Sequence, residues 1–299
     1  MTTAHRDVVG FGESSIDYVN ILPELPGPGV SKLRIASDYS VCGGQVVTAM
    51  AACSALGLKT GYLGAVGNDE NGRRLQTELR RRGVDLAHLI IREAATRYAV
   101  ILVEEGSGER IVMWRRDPRL DVDPGELTAD AVAGARVVHV DGTDLQGSIA
   151  VARLARATAA TVTCDIDTVT ARTPELLAEV TIPILAEGVA AQLTGIAEIE
   201  PALRAMRRGH DGLLVVTLGD RGAAALDGDR FIHAAAVPVT AVDTTGAGDV
   251  FRAGFIYGLL REWPIERRLR FANAAAAVAC TRRGAVDGVP RLADLEPIV

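Results

Sequence analysis

The sequence predicts an α/β protein in which a mostly parallel β-sheet carries helices on both faces. Short apolar, β-rich runs alternate along the chain with helical stretches of about 10–15 residues, the pattern of βαβ units. The chain has 299 residues, of which 48% are hydrophobic and 23% charged, so it can bury a large core and is not disordered. No repeat, low-complexity tract or linker divides it. We therefore expect a single domain over residues 1–299.

Composition excludes several classes of function. A net charge of −6 argues against a general nucleic-acid binder or a protein bound to anionic membranes. No apolar run approaches the roughly 18 residues of a membrane helix, and the first fifteen residues lack the apolar core of a signal peptide, so we expect a cytoplasmic protein. The cysteines and histidines are scattered with no paired spacing, which predicts reduced thiols and no zinc site. The four cysteines are Cys42, Cys53, Cys164 and Cys280.

Individual elements follow from apolar runs and from the glycines that end them. Residues 7–11 and 62–66 are typical of buried strands, and residues 45–56 and 71–82 of helices. Gly57 and Gly83 stand where a left-handed residue would end each helix. Further strands are predicted at residues 137–140, 161–165, 182–185 and 213–218.

Two segments depart from the alternation of strands and helices, and they predict a lid. Residues 98–103 and 109–114 alternate like a β-hairpin around a loop rich in serine and glycine. Residues 16–38 are rich in proline and glycine and do not suit a βαβ unit. Insertions at about 16–38 and 97–115 could cover a site on the α/β core. A peripheral ribbon with no role, or one that forms a homodimer, is the alternative.

The strongest local signal is DTTGAGDVF at residues 243–251. It follows a predicted strand at 237–242 and begins a predicted helix at 249–261. Glycines let backbone N–H groups converge on an anion, and the helix N-terminus adds partial positive charge there. A carboxylate at Asp249 would repel a resting phosphate. The carboxylate of Asp249 would have a function there as the base that takes a proton from an attacking hydroxyl.

Two other phosphate-binding motifs are excluded or weak. A P-loop needs lysine after glycine, and neither Lys32 nor Lys59 follows one. The stretch GFGESS at residues 10–15 has Ser15 where a dinucleotide fingerprint ends in glycine, so we do not predict a dinucleotide-binding site there.

Five motifs, in order, resemble the PfkB, or ribokinase-like, family of carbohydrate kinases. Besides DTTGAGDVF they are VVGFGESSID at 8–17, CGGQVVTAM at 42–50, TLGDRG at 217–222, and FANAAAA at 271–277 followed by Gly284 and Ala285. The resemblance covers nearly the whole chain. It implies the ribokinase-like three-layer fold with a small β lid, and ATP-dependent phosphorylation of a hydroxyl on a small sugar.

The resemblance also implies roles for individual residues. Asp249 would be the base, and the amides of Gly246, Ala247 and Gly248 the anion hole. Sugar contacts would come from Asp17, Gly43, Gly44, Thr48 and Asp141, of which Asp17 and Asp141 could instead be strand-end residues without a ligand. Nucleotide contacts would come from Thr217, Gly219, Gly222, Asn273 and Gly284. Magnesium would accompany ATP, and Asp243 resembles part of a monovalent-cation site for K⁺, or simply caps its turn.

The chain departs from the family pattern at two places. Thr48 stands where most members have asparagine in the Gly-Gly signature. The family's Asn-x-x-Glu motif falls on Ala186 and Val189, so both polar residues are absent. Glu187 could take over in the magnesium region, or could be a solvated residue at the start of a helix.

The substrate stays open at this point. A nucleoside is one alternative to a simple sugar. A 2-keto-3-deoxy sugar acid is another, because arginines of the hairpin region could clamp a carboxylate. A non-catalytic sugar or nucleotide sensor is a third, which would leave Asp249 without a use. These arginines are Arg97, Arg110, Arg115 and Arg116.

Overall fold

The computed structural model describes residues 5–296, which form a large central sheet and a smaller one. The central sheet has nine strands: β1 (Val8–Phe11), β4 (Thr60–Gly67), β5 (Leu89–Arg92), β8 (Val137–Asp141), β9 (Thr161–Ile166), β10 (Ile182–Ala186), β11 (Leu214–Thr217), β12 (Ala223–Asp227) and β13 (Arg230–Ala234). Their order is β13-β12-β11-β10-β9-β8-β1-β4-β5. All neighbours are parallel except at β12 and β13, which confirms the mostly parallel sheet.

Helices cover both faces of the central sheet, as the sequence predicts. The nine helices of the described range are α1 (Gln45–Ala55), α2 (Glu70–Arg81), α3 (Leu145–Ala157), α4 (Thr173–Leu177), α5 (Glu187–Thr194), α6 (Ile199–Met206), α7 (Ala247–Leu260), α8 (Ile265–Cys280) and α9 (Leu292–Leu295). Apolar side chains of α1, α2, α7, α8 and α9 pack on one face, and those of α3 to α6 on the other. Gly57 and Gly83 follow α1 and α2 with φ of 89° and 78°, which is the expected helix ending.

The smaller sheet contains four strands in the order β3-β2-β6-β7: β2 (Ser15–Leu22), β3 (Ser37–Gly43), β6 (Tyr98–Glu104) and β7 (Arg110–Arg115). The β6–β7 pair is the antiparallel hairpin expected from the sequence. In the other insertion, β2 and β3 enclose the irregular loop 23–36. Only residues 12–14 separate β1 from β2, so the two sheets are joined by a very short connection.

The predicted strand at residues 237–242 is wrong. This segment forms no strand in the described part of the chain, and Val239 and Val242 are exposed. Pro238 has no N–H to donate to a ladder, which disfavours a strand interior there. The strands that precede the glycine loop are β12 and β13, whose alanine-rich sequence gives no clear β signal.

Candidate active site

The candidate residues lie along one edge of the central sheet, where the parallel strands end. The chain runs from β1 outward to β4 and β5 and then returns to β8 on the other side of β1. Open α/β sheets bind ligands at such a switch point, outside the carboxyl ends of the strands. Gly12 follows β1 there, and Asp141 and Asp165 stand at or near the ends of β8 and β9.

The glycine loop is held in shape by Asp243. Its two carboxylate oxygens accept backbone N–H groups from Thr245 and Gly284, each at 2.9 Å. Gly246 has φ of 78° and precedes α7, and a β-carbon there would lie 2.8 Å from Ala285 Cβ. Only glycine fits this close, left-handed position. The loop therefore delivers the N-terminus of α7 to the sheet edge.

Asp249 lies in the first turn of α7, against a buried ion pair that the sequence did not reveal. Arg252 Nη2 lies 2.6 Å from Asp165 Oδ1, and both side chains are nearly inaccessible to solvent. The Asp249 carboxyl lies next to the Asp165 carboxylate, close enough for the two groups to interact. Burial, with the Asp165 carboxylate next to it, raises the pKa of Asp249 well above its usual value, while Arg252 opposes that rise. Asp249 therefore binds a proton more readily than an exposed aspartate does.

At the other end of the edge, Asp17 sits on the small sheet and faces Gly43. Ser15 Oγ donates to Asp17 Oδ1 at 2.7 Å, and a β-carbon on Gly43 would lie 2.3 Å from Asp17 Oδ2. Burial raises the pKa of Asp17, although the bond from Ser15 lowers it. Gly44, with φ of 99°, precedes α1 and packs against the backbone of Glu13. Asp17, Gly43 and Gly44 thus lie together, as predicted.

Two of the predicted sugar contacts are inaccessible. Asp141 is fully buried, and its oxygens accept N–H groups from Glu13 at 2.6 Å and Thr143 at 2.9 Å. Burial raises its pKa to about 8. Thr48 is also fully buried, with Cγ2 3.2 Å from a β-carbon built on Gly246. The expected sugar contacts of both residues are therefore wrong. Asp141 holds the β1–β2 connection instead, and Thr48 packs against the glycine loop at Gly246.

The arginines of the hairpin region are already engaged, with one exception. Arg97 pairs with Glu13 at 2.7 Å and lies 5.6 Å from the ring centroid of Trp114. Arg116 pairs with Asp121, and Arg110 Nη1 donates to Thr245 Oγ1 at 3.0 Å. Arg115 is exposed on β7. The arrangement gives no free carboxylate clamp among these side chains.

Cross-strand register shows which side of the small sheet faces the site. Asp17 pairs with Ala99, and Ala99 pairs with Trp114, so the three side chains share one side. Trp114 is 64% exposed on that side. An open aromatic surface therefore lies two strands away from Asp17.

The predicted nucleotide residues cluster beyond β10 and β11. Thr217 ends β11, and its Oγ1 lies 3.4 Å from the carbonyl oxygen of Leu185. Gly222 has φ of 90°, and a β-carbon there would meet Ala234 O at 2.1 Å. Asn273 of α8 donates to the carbonyl oxygens of Ala234 and Ala235, so it holds the backbone around this turn. Gly219 is exposed beside Gly222, whereas Gly284 is buried beside the glycine loop.

Glu187 lies on an exposed surface and is already paired. It begins α5 and forms an exposed ion pair with Arg221. Val189 is fully buried in the core, and Ala186 ends β10. Among residues 5–296, no group of three or more acidic, histidine or cysteine side chains is arranged to hold a metal.

Sequence reasoning missed Asp165, Arg252 and Glu13 as members of this site. Asp165 could have been suspected, because it is a carboxylate near the end of an apolar strand at the same edge as Asp141. Arg252 gives a weaker signal: it interrupts the apolar helix at α7, where nine consecutive residues from Val250 to Gly258 are buried. A charged residue inside such a run needs a buried partner.

Comparisons with known proteins agree on one family. The model of the pfkB family of carbohydrate kinases matches residues 5–292. Fructokinase-1 of Zea mays is 27% identical, with 100% of this chain and 99% of the relative covered. A nucleoside kinase of Methanothermobacter thermautotrophicus is also 27% identical, over 95% and 93% of the two chains.

Solved structures are similar over almost the whole chain. A putative ribokinase from Agrobacterium tumefaciens has a TM-score of 0.91 and 25% identity, with 98% of this chain and 97% of that chain covered. Arabidopsis thaliana ribokinase, complexed with ribose and ATP, has a TM-score of 0.84 at 24% identity and covers 98% of both. These likenesses confirm the expected ribokinase-like fold. Within residues 5–296 no helix is long and apolar enough to cross a membrane.

Proposed function

Since the chain belongs to the pfkB family of carbohydrate kinases, it phosphorylates an alcohol group of a small sugar-like substrate with ATP, and we propose that Asp249 is the general base. One observation carries this proposal: Asp249 stands in the first turn of α7, directly after the Gly246 turn. A carboxylate there can take the hydroxyl proton while the adjacent helix N-terminus attracts the transferred phosphoryl group.

The anion hole in this proposal is made of backbone amides. Gly246, Ala247 and Gly248 form the start of α7, whose first N–H groups have no partner within the helix. Fixed donors of this kind stabilise charge that develops during phosphoryl transfer without needing a lysine. The amides bind and orient the phosphoryl group, while Asp249 holds the proton that the sugar oxygen releases.

We assign the acceptor end to Asp17, Gly43 and Gly44. A largely buried carboxylate next to two glycine backbones, one buried and one half-buried, suits the hydroxyl groups of a polyol. The charge of the site favours an uncharged substrate, because Arg97 is already paired with Glu13 and so does not compensate Asp17 or Asp249. A 2-keto-3-deoxy sugar acid fits this site less well than a neutral sugar.

We assign ATP to the surface beyond β11. Thr217, Gly219 and Gly222 make an open turn with little side-chain bulk, and Asn273 supports it from α8. Gly222 keeps this turn narrow, because a β-carbon there would collide with the backbone of Ala234 and Ala235. Bound magnesium would neutralise phosphate charge. A K⁺ site at Asp243 has less support, since both of its oxygens already accept backbone N–H groups.

The small sheet is proposed as the lid. Its Asp17 side faces the site, and Arg110 reaches the glycine loop at Thr245. Closure would exclude water and so prevent ATP hydrolysis. The opposite side of the hairpin carries exposed Ile111 and Met113, which would support a homodimer through the lid. A cytoplasmic location stays a prediction from the sequence.

A nucleoside is the second candidate acceptor. Trp114 is exposed on the same side of the small sheet as Asp17, where a base attached to a sugar could stack on it. Trp114→Ala would then lower kcat/KM for nucleosides and leave that for simple sugars unchanged.

The test is ADP release from ATP and magnesium across neutral sugars, 2-keto-3-deoxy acids and nucleosides. Asp249→Asn is the matched control for each acceptor. We expect turnover with a neutral polyol that disappears in the variant. Binding of a sugar without ADP release by either protein would indicate a sensor instead.

A further inference from the structure

A buried ion pair of Arg252 and Asp165 lies next to Asp249. Arg252 follows Asp249 by three residues on α7, so both side chains lie on the same side of the helix. Asp165 comes from β9, on the sheet that α7 covers. The 2.6 Å contact between Arg252 and Asp165 is poorly aligned for a hydrogen bond, which makes it chiefly an ion pair.

Arg252 is also fixed to the neighbouring strand. Its Nη2 donates to the carbonyl oxygen of Ile184 at 3.2 Å, and Ile184 is the register partner of Asp165 in the parallel β9–β10 pair. A β-carbon on Gly248 would lie 2.8 Å from Arg252 Nη1. The guanidinium therefore fills the space between the start of α7 and the ends of two strands, and Gly248 leaves room for it.

A buried carboxylate and its half-buried neighbour cannot both be charged at low cost unless a cation compensates one of them. Arg252 contacts Asp165, and the Asp165 carboxylate adjoins Asp249. We propose, resting on the role of Asp249 as base, that Asp165 and Arg252 are positioning residues for it: Arg252 keeps Asp165 ionised, and Asp165 accepts a hydrogen bond from Asp249 once that residue has taken the substrate proton.

In the proposed step the sugar O–H bond breaks while the sugar oxygen forms its bond to the terminal phosphorus of ATP, and ADP leaves. The proton moves to Asp249, where its hydrogen bond to Asp165 stabilises the protonated carboxyl group. It is released to solvent after the products leave.

Other charged groups face this trio from the neighbouring elements. Glu13 lies on the β1–β2 connection, and Asp167 follows β9; both add negative charge near the two aspartates. Asp141 and His139 lie on β8, where burial favours their neutral forms. Arg252 is therefore the buried cation that meets this negative charge within the described part of the chain.

The experiment measures kcat/KM against pH for the full-length enzyme and three variants. In Arg252→Met the acid limb should move to higher pH by about one unit, because Asp249 loses a nearby positive charge. Arg252→Lys should restore part of that shift. In Asp165→Asn the limb should move to lower pH while turnover falls about 10- to 100-fold, the effect of losing a hydrogen bond to a charged acceptor.

Arg6→Met is the matched control. Arg6 is another buried arginine with an aspartate at 2.6 Å, Asp85, but it lies at the start of the chain's first strand, away from Asp249. It should lower the stability of the fold without moving the acid limb. An acid limb that stays at its wild-type position in both Arg252→Met and Asp165→Asn would overturn the proposal and leave the pair a purely structural one.

A second measurement covers variants that fail to fold and separates this proposal from the role of Asp249. The double variant Asp165→Asn with Arg252→Met removes both charges and leaves no unpaired ion, so it should fold. Infrared titration of the Asp249 carboxyl, identified by its loss in Asp249→Asn, follows its proton without any turnover. In the double variant this midpoint should move to lower pH, because Asp165 raises the pKa of Asp249 more strongly than Arg252 lowers it. A midpoint equal to that of the wild type would overturn the proposal. If Asp249→Asn keeps its activity while the midpoint of Asp249 shifts in the double variant, Asp249 is not the base, but the influence of Asp165 and Arg252 on it stands.

Discussion

Arg110 on β7 donates a hydrogen bond of 3.0 Å to the hydroxyl of Thr245 in the glycine loop. The two residues are 135 positions apart in sequence, and the bond ties the hairpin of the small sheet to the segment that leads into α7. Asp17 and Arg110 lie on the same side of that sheet, at opposite ends of it.

Removal of this contact should weaken lid closure. We expect Arg110→Ala to raise KM for the acceptor about 3- to 10-fold, the loss of one ordinary hydrogen bond, and to increase hydrogen exchange in residues 98–115 with sugar and an ATP analogue bound. Arg115→Ala is the control, since Arg115 lies on the same strand but on the other side. Equal kinetics and exchange in the two variants would argue against a closing lid.

Asp249→Asn should keep the fold and ATP binding but lower turnover by about 10²–10⁴-fold, the usual contribution of a general base. Steady-state kinetics and calorimetric ATP binding measure the two effects. Glu70→Gln is a matched control, because Glu70 is also a first-turn acid of a helix but stands far along the edge on α2. A variant that retains more than half of the turnover would exclude Asp249 as the base.

Magnesium use should not depend on Glu187. Its carboxylate already pairs with Arg221 on an exposed surface, so Glu187→Ala should leave the magnesium dependence of activity unchanged. Restoring the family motif should fail for a packing reason: Val189 is fully buried, and Val189→Glu should cost about 3 kcal/mol or more of unfolding free energy. Magnesium titrations and urea unfolding of both variants test this. A changed magnesium midpoint in Glu187→Ala would show that the glutamate leaves Arg221 during turnover.

His139 should make the fold sensitive to acid. Burial lowers its pKa to about 3 in the folded chain, while the unfolded chain titrates near 6.5, so the unfolded state takes up the extra proton as pH falls. Relative to His139→Gln, the wild type should lose about 1.4 kcal/mol of stability per pH unit below about pH 6. Urea unfolding of both proteins over that range measures the difference. A stability difference that does not change with pH would mean that His139 is protonated in the fold.

The motif residues could be predicted from the sequence because they carry a local backbone requirement. Gly246 and Gly44 have positive φ at the start of a helix, and DTTGAGD already indicates such a turn. Asp17, by contrast, was predicted only from the resemblance of VVGFGESSID to the family's opening strand. The predicted strand at 237–242 is absent although the segment is rich in β-branched residues, because Pro238 has no N–H for a ladder hydrogen bond.

The ion pair of Asp165 and Arg252 could not be predicted, because it depends on tertiary register. Arg252 meets Asp165 only since α7 packs across the paired ends of β9 and β10, and no local pattern fixes that crossing. Burial likewise decided the roles of Thr48 and Asp141. Both have residue types suited to a sugar, yet neither side chain is accessible.

The very short connection between the sheets, residues 12–14, has a consequence for substrate size. Asp17 belongs to the small sheet, whereas Asp249 belongs to a helix of the large one. If Asp17 holds the acceptor and Asp249 takes its proton, as we propose, one molecule must reach both residues, and the angle between the sheets then sets the length of acceptor that fits. Gly12 has φ of 153°, and a β-carbon there would lie 2.4 Å from the Asp141 carboxylate, whose bond to the Glu13 N–H fixes that angle. Substitutions at Gly12 or Asp141 would therefore change which acceptor lengths are accepted, although neither residue contacts the acceptor.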